Sequence, residues 1–256
     1  MIHLDSIDLM DVFDFLEEVE NNSVDLAIID PPYNLSQGVW DTFKSQEDFL
    51  SFTKKYLDIV ISKLKDNGSL YIFNTAFNSA YILIHLVNRG LEYKNWIVWY
   101  KKDGFSACKK KYVNSQETIL YFTKSNKEFT FNFDDIREPY LSSDRISAAR
   151  KKGIIKNGKR WFPNPNGKLC PDVWEFTSVR HTNKYRGKVI KQGHPTPKPE
   201  PMIERMIKAS SNEGDLIMDL FSGTGTTAFV AKKLKRHFIG CENNEQYYAI
   251  IKERLK

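Results

Sequence analysis

The sequence predicts an α/β fold: a doubly wound, mostly parallel sheet with helices on both faces and an antiparallel hairpin at one edge. Three observations support this prediction. Short apolar strands alternate with helical segments through most of the chain, which is typical of a parallel sheet. Two of the strands end in motifs rich in Pro or Gly, as strands that face a ligand often do. Two consecutive strands, over residues 96–100 and 118–123, supply the expected hairpin.

The individual elements follow from apolar spacing and from the residues that interrupt it. Residues 24–29 form an apolar strand that stops at Pro31 and Pro32, because two prolines cannot continue a ladder. Apolar residues at helical spacing predict a helix from about residue 49 to 64, and Gly68 is well placed to end it. A strand over 70–73 and a helix over 80–88 follow. Further along, the pattern predicts helices over 200–210, 226–235 and 245–255, and strands over 216–220 and 238–242.

Size and composition narrow the class of protein. The chain has 256 residues, of which 41% are hydrophobic and 27% charged, and this suits one sizeable core, alone or with an appended module. No apolar run approaches the roughly 20 residues of a membrane helix, and the N-terminus lacks the pattern of a signal peptide. The three cysteines are far apart, which argues against a disulfide framework or a zinc site and fits a reducing cytoplasm.

The net charge of +6 is concentrated in one segment. Between Arg137 and Lys191 the chain has 14 Lys and Arg against 4 Asp and Glu, so this stretch carries +10 and the remainder is slightly acidic. From about residue 134 to 193 the regular pattern dissolves into Gly, Pro, Asn and Lys with interleaved aromatic residues. We interpret this segment as one that contacts the phosphates of a nucleic acid. A solvated basic loop, or a small irregular subdomain packed by the aromatic residues, is the alternative.

The first candidate site is the turn over residues 219–227 (Asp-Leu-Phe-Ser-Gly-Thr-Gly-Thr-Thr), between an apolar strand and a helix. Gly223 and Gly225 allow a tight turn and a close approach of the backbone to a ligand. Glu242 ends the next strand, where a carboxylate can accept hydrogen bonds from both hydroxyls of a ribose. The combination indicates a nucleoside site. Ala228 stands at the last position of the dinucleotide fingerprint, which tolerates it, so the turn does not exclude NAD.

The second candidate site is Asp30-Pro31-Pro32-Tyr33, at the carboxyl end of a strand, where ligands of open α/β sheets bind. An exocyclic amino group on a base is a poor nucleophile, because its lone pair is delocalised into the ring. The Asp30 carboxylate and the Pro31 carbonyl can accept its two N–H bonds and so favour a pyramidal nitrogen with a free lone pair. Tyr33 can stack on a base rotated out of a helix, and the prolines stiffen the loop. A strand-ending turn without function is the alternative for the motif alone.

Together the two sites resemble those of the DNA amino-methyltransferases, and the likeness extends over nearly the whole chain. The Asp-Pro-Pro-Tyr element precedes the Phe-x-Gly-x-Gly element, with the basic segment between them, and this order resembles the β group of the family. The resemblance implies a Rossmann-like S-adenosylmethionine-dependent methyltransferase fold in circularly permuted motif order. It implies that residues 1–133 form the catalytic half of the domain, 134–193 the target-recognition region and 194–256 the cofactor-binding half.

The resemblance also implies the residues of the site. Residues 194–199 (His-Pro-Thr-Pro-Lys-Pro) are similar to an element that lines the methionine end of the cofactor, and Asp11 falls where the family contacts the cofactor adenine. Residues 95–101 and 116–122 resemble the family hairpin beyond the target pocket. The expected catalytic residues are Asp30, Pro31, Pro32 and Tyr33. The expected cofactor-binding residues are Asp11, Asp30, His194, Pro195, Thr196, Lys198, Asp219, Phe221, Ser222, Gly223, Gly225, Thr226, Thr227, Glu242 and Asn243.

The sequence therefore predicts a site-specific enzyme that methylates N6 of adenine in double-stranded DNA, with S-adenosylmethionine as donor and without a metal. The nearest alternative is N4 of cytosine, whose enzymes usually have Ser in place of Asp30. Methylation of cytosine at C5 needs a cysteine nucleophile, and no cysteine follows a proline in a suitable loop. An NAD-dependent oxidoreductase leaves Asp-Pro-Pro-Tyr unexplained, and a non-enzymatic DNA-binding module leaves both small-molecule sites unexplained. A homodimer and a cognate restriction endonuclease are the expected protein partners.

Overall fold

The computed structural model describes residues 2–36, 38, 41–102, 109–179, 184–185, 188–189 and 197–256. Within these ranges the helices are α1 (Val12–Glu18), α2 (Gln46–Lys63), α3 (Ala76–Asn88), α4 (Ser143–Lys152), α5 (Glu200–Ser210), α6 (Thr226–Lys233) and α7 (Glu245–Leu255). The strands are β1 (Ser6–Leu9), β2 (Val24–Ile29), β3 (Leu64–Asn74), β4 (Glu92–Tyr100), β5 (Gln116–Thr123), β6 (Ile154–Lys156), β7 (Lys159–Trp161), β8 (Val173–Glu175), β9 (Lys184–Tyr185), β10 (Lys188–Val189), β11 (Leu216–Asp219) and β12 (His237–Glu242). None of the helices in these ranges is long and apolar enough to cross a membrane.

The main sheet of the described residues is mixed, in the order β1-β12-β11-β2-β3-β5-β4-β8. The strands from β1 to β3 in this order pair in parallel. β5 is antiparallel to both of its neighbours, β3 and β4, and β8 is parallel to β4. The predicted α/β class with a mostly parallel sheet is therefore confirmed.

Helices cover both faces of this sheet, as a doubly wound fold requires. On one face α1, α2 and α3 pack against a core that includes Ala27 and Ile29 of β2. On the other face α5, α6 and α7 pack against a second core that includes Leu26 and Ile28 of the same strand. Because successive side chains of a strand point to opposite faces, β2 supplies both cores and is apolar almost throughout.

The antiparallel hairpin differs from the prediction because it is not the outermost part of the sheet. β8, from the basic segment, pairs with β4 and extends the sheet by one strand. Trp174 at its centre is buried in the second core. Three residues carry too little periodicity to predict a strand, so the sequence pattern did not reveal this attachment.

Gly68 does not end a helix, and that prediction is wrong. α2 ends at Lys63 and β3 begins at Leu64, so Gly68 lies within β3. A Cβ at position 68 would lie 3.1 Å from the Val24 carbonyl oxygen of β2, so glycine allows these two strands to approach closely. The elements β1, α1 and α4 were also not predicted, because short or strongly charged elements show little apolar periodicity.

Candidate active site

A cavity of about 760 Å³ opens at the carboxyl ends of the neighbouring strands β11 and β2. From β11 the chain crosses through α6 to β12 on one side, and from β2 it crosses through α2 to β3 on the other. The strand order therefore reverses between β11 and β2, and open α/β sheets bind their ligands at such a reversal. The volume lies within the roughly 300–1,000 Å³ that is usual for small-molecule sites.

Most of the predicted site residues line this cavity: Asp11, Asp30, Pro31, Pro32, Tyr33, Lys198, Asp219, Phe221, Ser222, Gly223, Thr226, Thr227, Glu242 and Asn243. Gly225 instead forms the N-cap of α6, and a Cβ there would lie 3.1 Å from the Ile251 side chain. The predictions for His194, Pro195 and Thr196 fall outside the described residues. Within the described part of the chain, no group of three or more His, Cys, Asp and Glu side chains is arranged to hold a metal ion.

Close backbone contacts shape the glycine-rich turn after β11. Gly223 has a φ of 51° and Gly225 a φ of 73°, in the left-handed region that favours glycine. The Ser222 N–H donates to the Cys241 carbonyl oxygen of β12 at 3.1 Å. A Cβ on Gly240 would lie 2.3 Å from the Asp219 carbonyl oxygen, so only glycine at position 240 lets the turn sit this close to β12. Sequence reasoning missed Gly240, because its requirement arises from the pairing of β11 with β12.

The Glu242 carboxylate is held at the cavity wall by backbone hydrogen bonds. Its Oε2 accepts from the Gly223 N–H at 2.7 Å, and its Oε1 accepts from the Asn244 N–H at 2.9 Å. Each carboxylate oxygen can accept two hydrogen bonds, so the carboxylate retains acceptor capacity for a ligand. Burial raises the pKa of Glu242, although the backbone N–H groups oppose the rise. The arrangement fits a pair of hydroxyl groups such as those of a ribose.

Two aspartates complete this half of the cavity. Asp219, buried at the end of β11, accepts a hydrogen bond from the Phe221 N–H at 3.2 Å. Burial is the main cause that raises the pKa of Asp219 to about 7. Asp11 caps α1 by accepting from the Phe13 N–H at 2.8 Å, and it also lines the cavity. Asp5 is close to Asp11 in the sequence, but its carboxylate lies 3.0 Å from a ring nitrogen of His237.

The Asp41 carboxylate holds the loop that contains Asp-Pro-Pro-Tyr. Its buried oxygens accept from the backbone N–H groups of Tyr33 at 2.5 Å, Asn34 at 2.8 Å and Leu35 at 2.9 Å. From the first turn of α3, Asn78 Nδ2 donates to the Tyr33 carbonyl oxygen at 2.9 Å. Four hydrogen bonds thus fix the backbone directly after the two prolines. Sequence reasoning missed Asp41, since nothing in the local pattern shows that its side chain folds back onto this loop.

The Asp30 carboxylate belongs to a charged network on one wall of the cavity. Lys198 Nζ lies 2.7 Å from Asp30 Oδ2, and the Tyr33 hydroxyl donates to Asp30 Oδ1 at 2.9 Å. Glu117, on β5, contacts the same two groups: its Oε2 lies 3.2 Å from the Tyr33 hydroxyl and 3.6 Å from Lys198 Nζ. Lys101, directly after β4, pairs with Oε1 of Glu117. Two carboxylates and two amino groups therefore meet around one phenol.

Burial and pairing together set the protonation states in this network. Burial lowers the pKa of Lys198, but the carboxylates of Asp30 and Glu117 more than offset this effect and raise it above the ordinary value. Burial raises the pKa of Glu117, but Lys198 and Lys101 more than offset this effect and lower it. For Tyr33, burial and then the two carboxylates raise the pKa well above its ordinary value. At neutral pH, Lys198 and Glu117 are charged and Tyr33 is neutral.

The network brings together residues to which sequence reasoning gave other roles or none. Lys198 was predicted to contact the cofactor, and the structure places its amino group on Asp30 as well as on the cavity wall. Lys101 and Glu117 were assigned only to the hairpin. β4 is parallel to β8 and antiparallel to β5, so the end of β4 and the start of β5 lie at the same edge of the sheet. In the sequence, the signal for this part of the site was a charged residue at each of these two positions, Lys101 and Glu117.

The basic segment presents charged and aromatic side chains to solvent. α4 ends with Arg150, Lys151 and Lys152 in its last turn, and the antiparallel pair β6–β7 follows. Lys156 and Lys159 of that hairpin are exposed, and Trp161 is 46% exposed. Side chains of these kinds suit contacts with a phosphate backbone and with bases.

Two of the arginines in this segment brace it internally. Arg160 Nη1 donates to the Lys152 carbonyl oxygen at 2.7 Å, and Arg150 Nη2 donates to the Pro165 carbonyl oxygen at 3.2 Å. Arg145, on α4, is exposed. Arg180 and Arg186, two further arginines of the segment, lie outside the described residues.

Comparison with known sequences gives long matches to one family. A family model described as DNA methylase, of the N6/N4 methyltransferase type, matches residues 24–253. The type II methyltransferase M1.MboII of Moraxella bovis is 56% identical over 247 residues, covering 96% of this chain and 95% of that protein. The type II methyltransferase M.HpaI of Haemophilus parainfluenzae is 39% identical, covering 94% of this chain and 70% of that protein. The DNA adenine methyltransferase YhdJ of Escherichia coli strain K12 is 34% identical, covering 94% and 79%.

Solved structures agree with the sequence matches. The crystal structure of the M1.HpyAVI-SAM complex is similar with a TM-score of 0.64 and 25% identity, over 98% of both chains. The PvuII DNA methyltransferase, described as cytosine-N4-specific, has a TM-score of 0.74 over 97% of this chain and 85% of its own. Because the two sequences are only 18% identical, this similarity shows a shared fold alone. The predicted methyltransferase fold and family are confirmed, and the chain belongs to the N6/N4 family of DNA methylases.

Proposed function

We propose that this DNA methylase transfers the methyl group of S-adenosylmethionine to N6 of adenine at a specific sequence in double-stranded DNA. The observation that carries the proposal is a single cavity shared by two kinds of residue. Around Glu242 and the glycine-rich turn, the cavity suits a nucleoside. Around Asp30 and Tyr33, it suits an exocyclic amino group on a base.

The cofactor half of the cavity fits S-adenosylmethionine by its donor and acceptor chemistry. When bound, the cofactor supplies a methyl group activated by a sulfonium. We assign the ribose hydroxyls to the remaining acceptor capacity of Glu242, and the adenine amino group to Asp11. Phe221 and Tyr247 supply aromatic surface on the same wall. Gly223 keeps the backbone close enough for a ligand to approach it.

The target half of the cavity prepares the amino nitrogen for attack. A base must leave the DNA stack to reach a cavity of this kind. We assign the two N–H groups of its amino nitrogen to the Asp30 carboxylate and the Pro31 carbonyl oxygen, so that the nitrogen lone pair is free to attack. Asp41 and Asn78 hold this loop before the substrate arrives, and such preorganised acceptors are what transition-state stabilisation requires.

Adenine is favoured over cytosine as the target by the residue that begins the loop. Asp30 provides a charged acceptor, whereas the cytosine-N4 enzymes that share the motif usually have Ser at this position. The relative YhdJ, at 34% identity, is described as a DNA adenine methyltransferase. Liquid chromatography with mass spectrometry of the nucleosides from treated DNA distinguishes N6-methyladenine from N4-methylcytosine directly.

The proposed target-recognition region is the segment over residues 134–193. Support comes from the exposed basic and aromatic hairpin β6–β7 and from contacts that join described residues of the segment to β4 and α5. β8 pairs with β4, and Arg205 of α5 lies 2.9 Å from Glu138. A DNA-binding segment anchored in this way stays in a fixed position relative to Asp30, as delivery of one chosen base into the cavity requires.

We also propose that the protein is cytoplasmic, forms a homodimer and acts beside a cognate restriction endonuclease.

The outward side of α3 supports the homodimer. It is apolar, since Phe77, Tyr81, Ile84 and Val87 are all exposed. Their spacing places them in one stripe on the helix, which suits contact with a second copy of the chain. Light scattering with wild-type protein and with Ile84→Glu tests the dimer. A mass that equals one chain in both samples would contradict it.

The decisive experiment for the function is expression of the protein in cells that lack adenine methylation. Their genomic DNA is then sequenced by a method that detects N6-methyladenine directly. The expected result is one short motif that is methylated at nearly every occurrence with wild-type protein and at none with Asp30→Ala. Wild-type protein that binds S-adenosylmethionine but leaves all DNA unmethylated would contradict the proposal.

A further inference from the structure

Glu117 lies at the centre of the charged wall of the cavity. Its Oε2 is 3.2 Å from the Tyr33 hydroxyl and 3.6 Å from Lys198 Nζ, while its Oε1 pairs with Lys101. The same hydroxyl and the same amino group contact the two oxygens of Asp30, at 2.9 and 2.7 Å. Glu117 therefore shares both partners of Asp30 from the opposite side of the network.

This sharing affects how well Asp30 can accept hydrogen bonds from a base. With Glu117 present, two positive charges are balanced by two carboxylates in a largely buried site. Without its charge, Lys101 and Lys198 would both be balanced by Asp30. A carboxylate bound to two amino groups is a weaker acceptor for a further donor, and weak screening in a buried site enlarges the effect.

Aromatic rings fix the positions of the two lysines in the same wall. Lys101 Nζ lies 4.4 Å from the centre of the Trp99 ring, and Lys198 Nζ lies 5.9 Å from it. Lys198 Nζ is also 5.1 Å from the centre of the Phe73 ring. These faces attract the cations but offer no negative charge, so Glu117 is the group that balances them beside Asp30.

We propose that Glu117 is a positioning residue for methyl transfer: it holds Lys101, Lys198 and Tyr33 so that the Asp30 carboxylate remains free to accept the N–H groups of the target base. The inference rests on the proposed function and deepens it. Glu117 acts through Asp30 and needs no contact with the reacting atoms.

Three variants test this role by changing the charge of the wall in opposite directions. Glu117→Gln adds one positive charge to the wall, Lys101→Met adds one negative charge, and the double variant restores the balance. The other titratable groups that face Asp30, which include Tyr33, Tyr56, Lys198 and Asp219, remain unchanged. The measurement is the single-turnover rate of methyl transfer to cognate DNA, together with calorimetric titration of S-adenosylmethionine.

The expected rates follow the charge balance of the wall. Glu117→Gln should lower the maximal rate by roughly tenfold to a hundredfold, the usual cost of a misplaced catalytic group. Lys101→Met should lower the rate less, because it leaves no second amino group for Asp30 to balance. The double variant should recover most of the rate that is lost in Glu117→Gln, for the same reason. Binding of S-adenosylmethionine should stay near the wild-type affinity in all three.

The control is Asp66→Asn, which removes the carboxylate that lies 3.3 Å from Lys124 at the far end of β3 and β5. It should match wild type in rate. A purely structural role for Glu117 would lower the rate in Glu117→Gln without recovery in the double variant. A double variant that is no faster than Glu117→Gln overturns the inference.

Circular dichroism shows whether each variant folds. The activity of wild-type protein separates a failure of the proposed function from a failure of the role of Glu117. If Glu117→Gln does not fold, the double variant and Lys101→Met decide, and a double variant that is much slower than Lys101→Met overturns the inference. Wild-type protein without methyl transfer contradicts the proposed function itself. Active wild-type protein, with Glu117→Gln and Lys101→Met indistinguishable from Asp66→Asn, overturns the role of Glu117 and leaves the proposed function standing.

Discussion

The buried carboxyl group of Asp219 makes the stability of the protein depend on pH. Burial raises the pKa of this group to about 7 from an ordinary value of 3.8. The folded protein therefore binds more protons than the unfolded chain between these two values, and the free energy of unfolding falls as the pH rises through that window. Well below pH 3.8 the group is protonated in both states and its titration has no effect. The variant Asp219→Asn removes this pH dependence.

The pKa values set the size of the effect. The difference between 3.8 and about 7 corresponds to a penalty on the order of 4 kcal/mol in wild-type protein above pH 8. About 2–3 kcal/mol of this penalty develops between pH 5 and pH 8. Relative to wild type, Asp219→Asn should therefore be more stable at pH 8 than at pH 5 by about that amount. Effects of the amide that do not depend on pH cancel in this comparison.

Urea unfolding of both proteins at pH 5 and pH 8, without S-adenosylmethionine, measures the difference. The carboxyl of Asp66 is 89% exposed, so Asp66→Asn should show nearly the same stability relative to wild type at both pH values. A stability difference for Asp219→Asn that is equal at the two pH values, or that is larger at pH 5, would refute the reasoning. In that case water or a local movement would have to solvate the Asp219 carboxylate in the folded protein.

Four further predictions concern the site. Asp30→Ala should lower the rate of methyl transfer by roughly a hundredfold to a thousandfold, the cost of one lost transition-state contact, measured in single turnover. Glu242→Ala should weaken binding of S-adenosylmethionine by about 1.5–3 kcal/mol, the value of hydrogen bonds to a charged acceptor, and an unchanged dissociation constant in calorimetry would exclude a ribose contact. Asp41→Asn should lower the rate while leaving cofactor affinity intact, because three backbone N–H groups lose a charged acceptor and the loop loosens. Lys159→Ala should weaken binding to all DNA sequences and reduce the log–log salt slope by about 0.9, and an unchanged slope would place the phosphate contacts elsewhere.

The sequence by itself determined the fold class and the two motifs that meet in the cavity. Apolar periodicity, and the Pro and Gly residues that interrupt it, are local properties, so the strand over residues 24–29 and the helix over 200–210 agree with β2 and α5 to the residue. Both motifs follow parallel strands, and the carboxyl ends of parallel strands share one edge of a sheet. The sequence therefore places Asp30, Asp219 and Glu242 at one edge of the sheet, and the pairing of β11 with β2 in the structure brings the two motifs side by side.

Only the tertiary structure decided which side chains surround Asp30. Glu117 and Tyr33 are 84 residues apart in the chain and meet because β5, rather than β4, pairs with β3. The order of strands at that side of the sheet depends on the packing of whole elements, so it cannot be predicted from a local sequence pattern. The same reason applies to Gly240, whose missing side chain matters through contact with Asp219. It applies equally to β8, which is too short to show a period and forms because an edge of β4 is available to pair with.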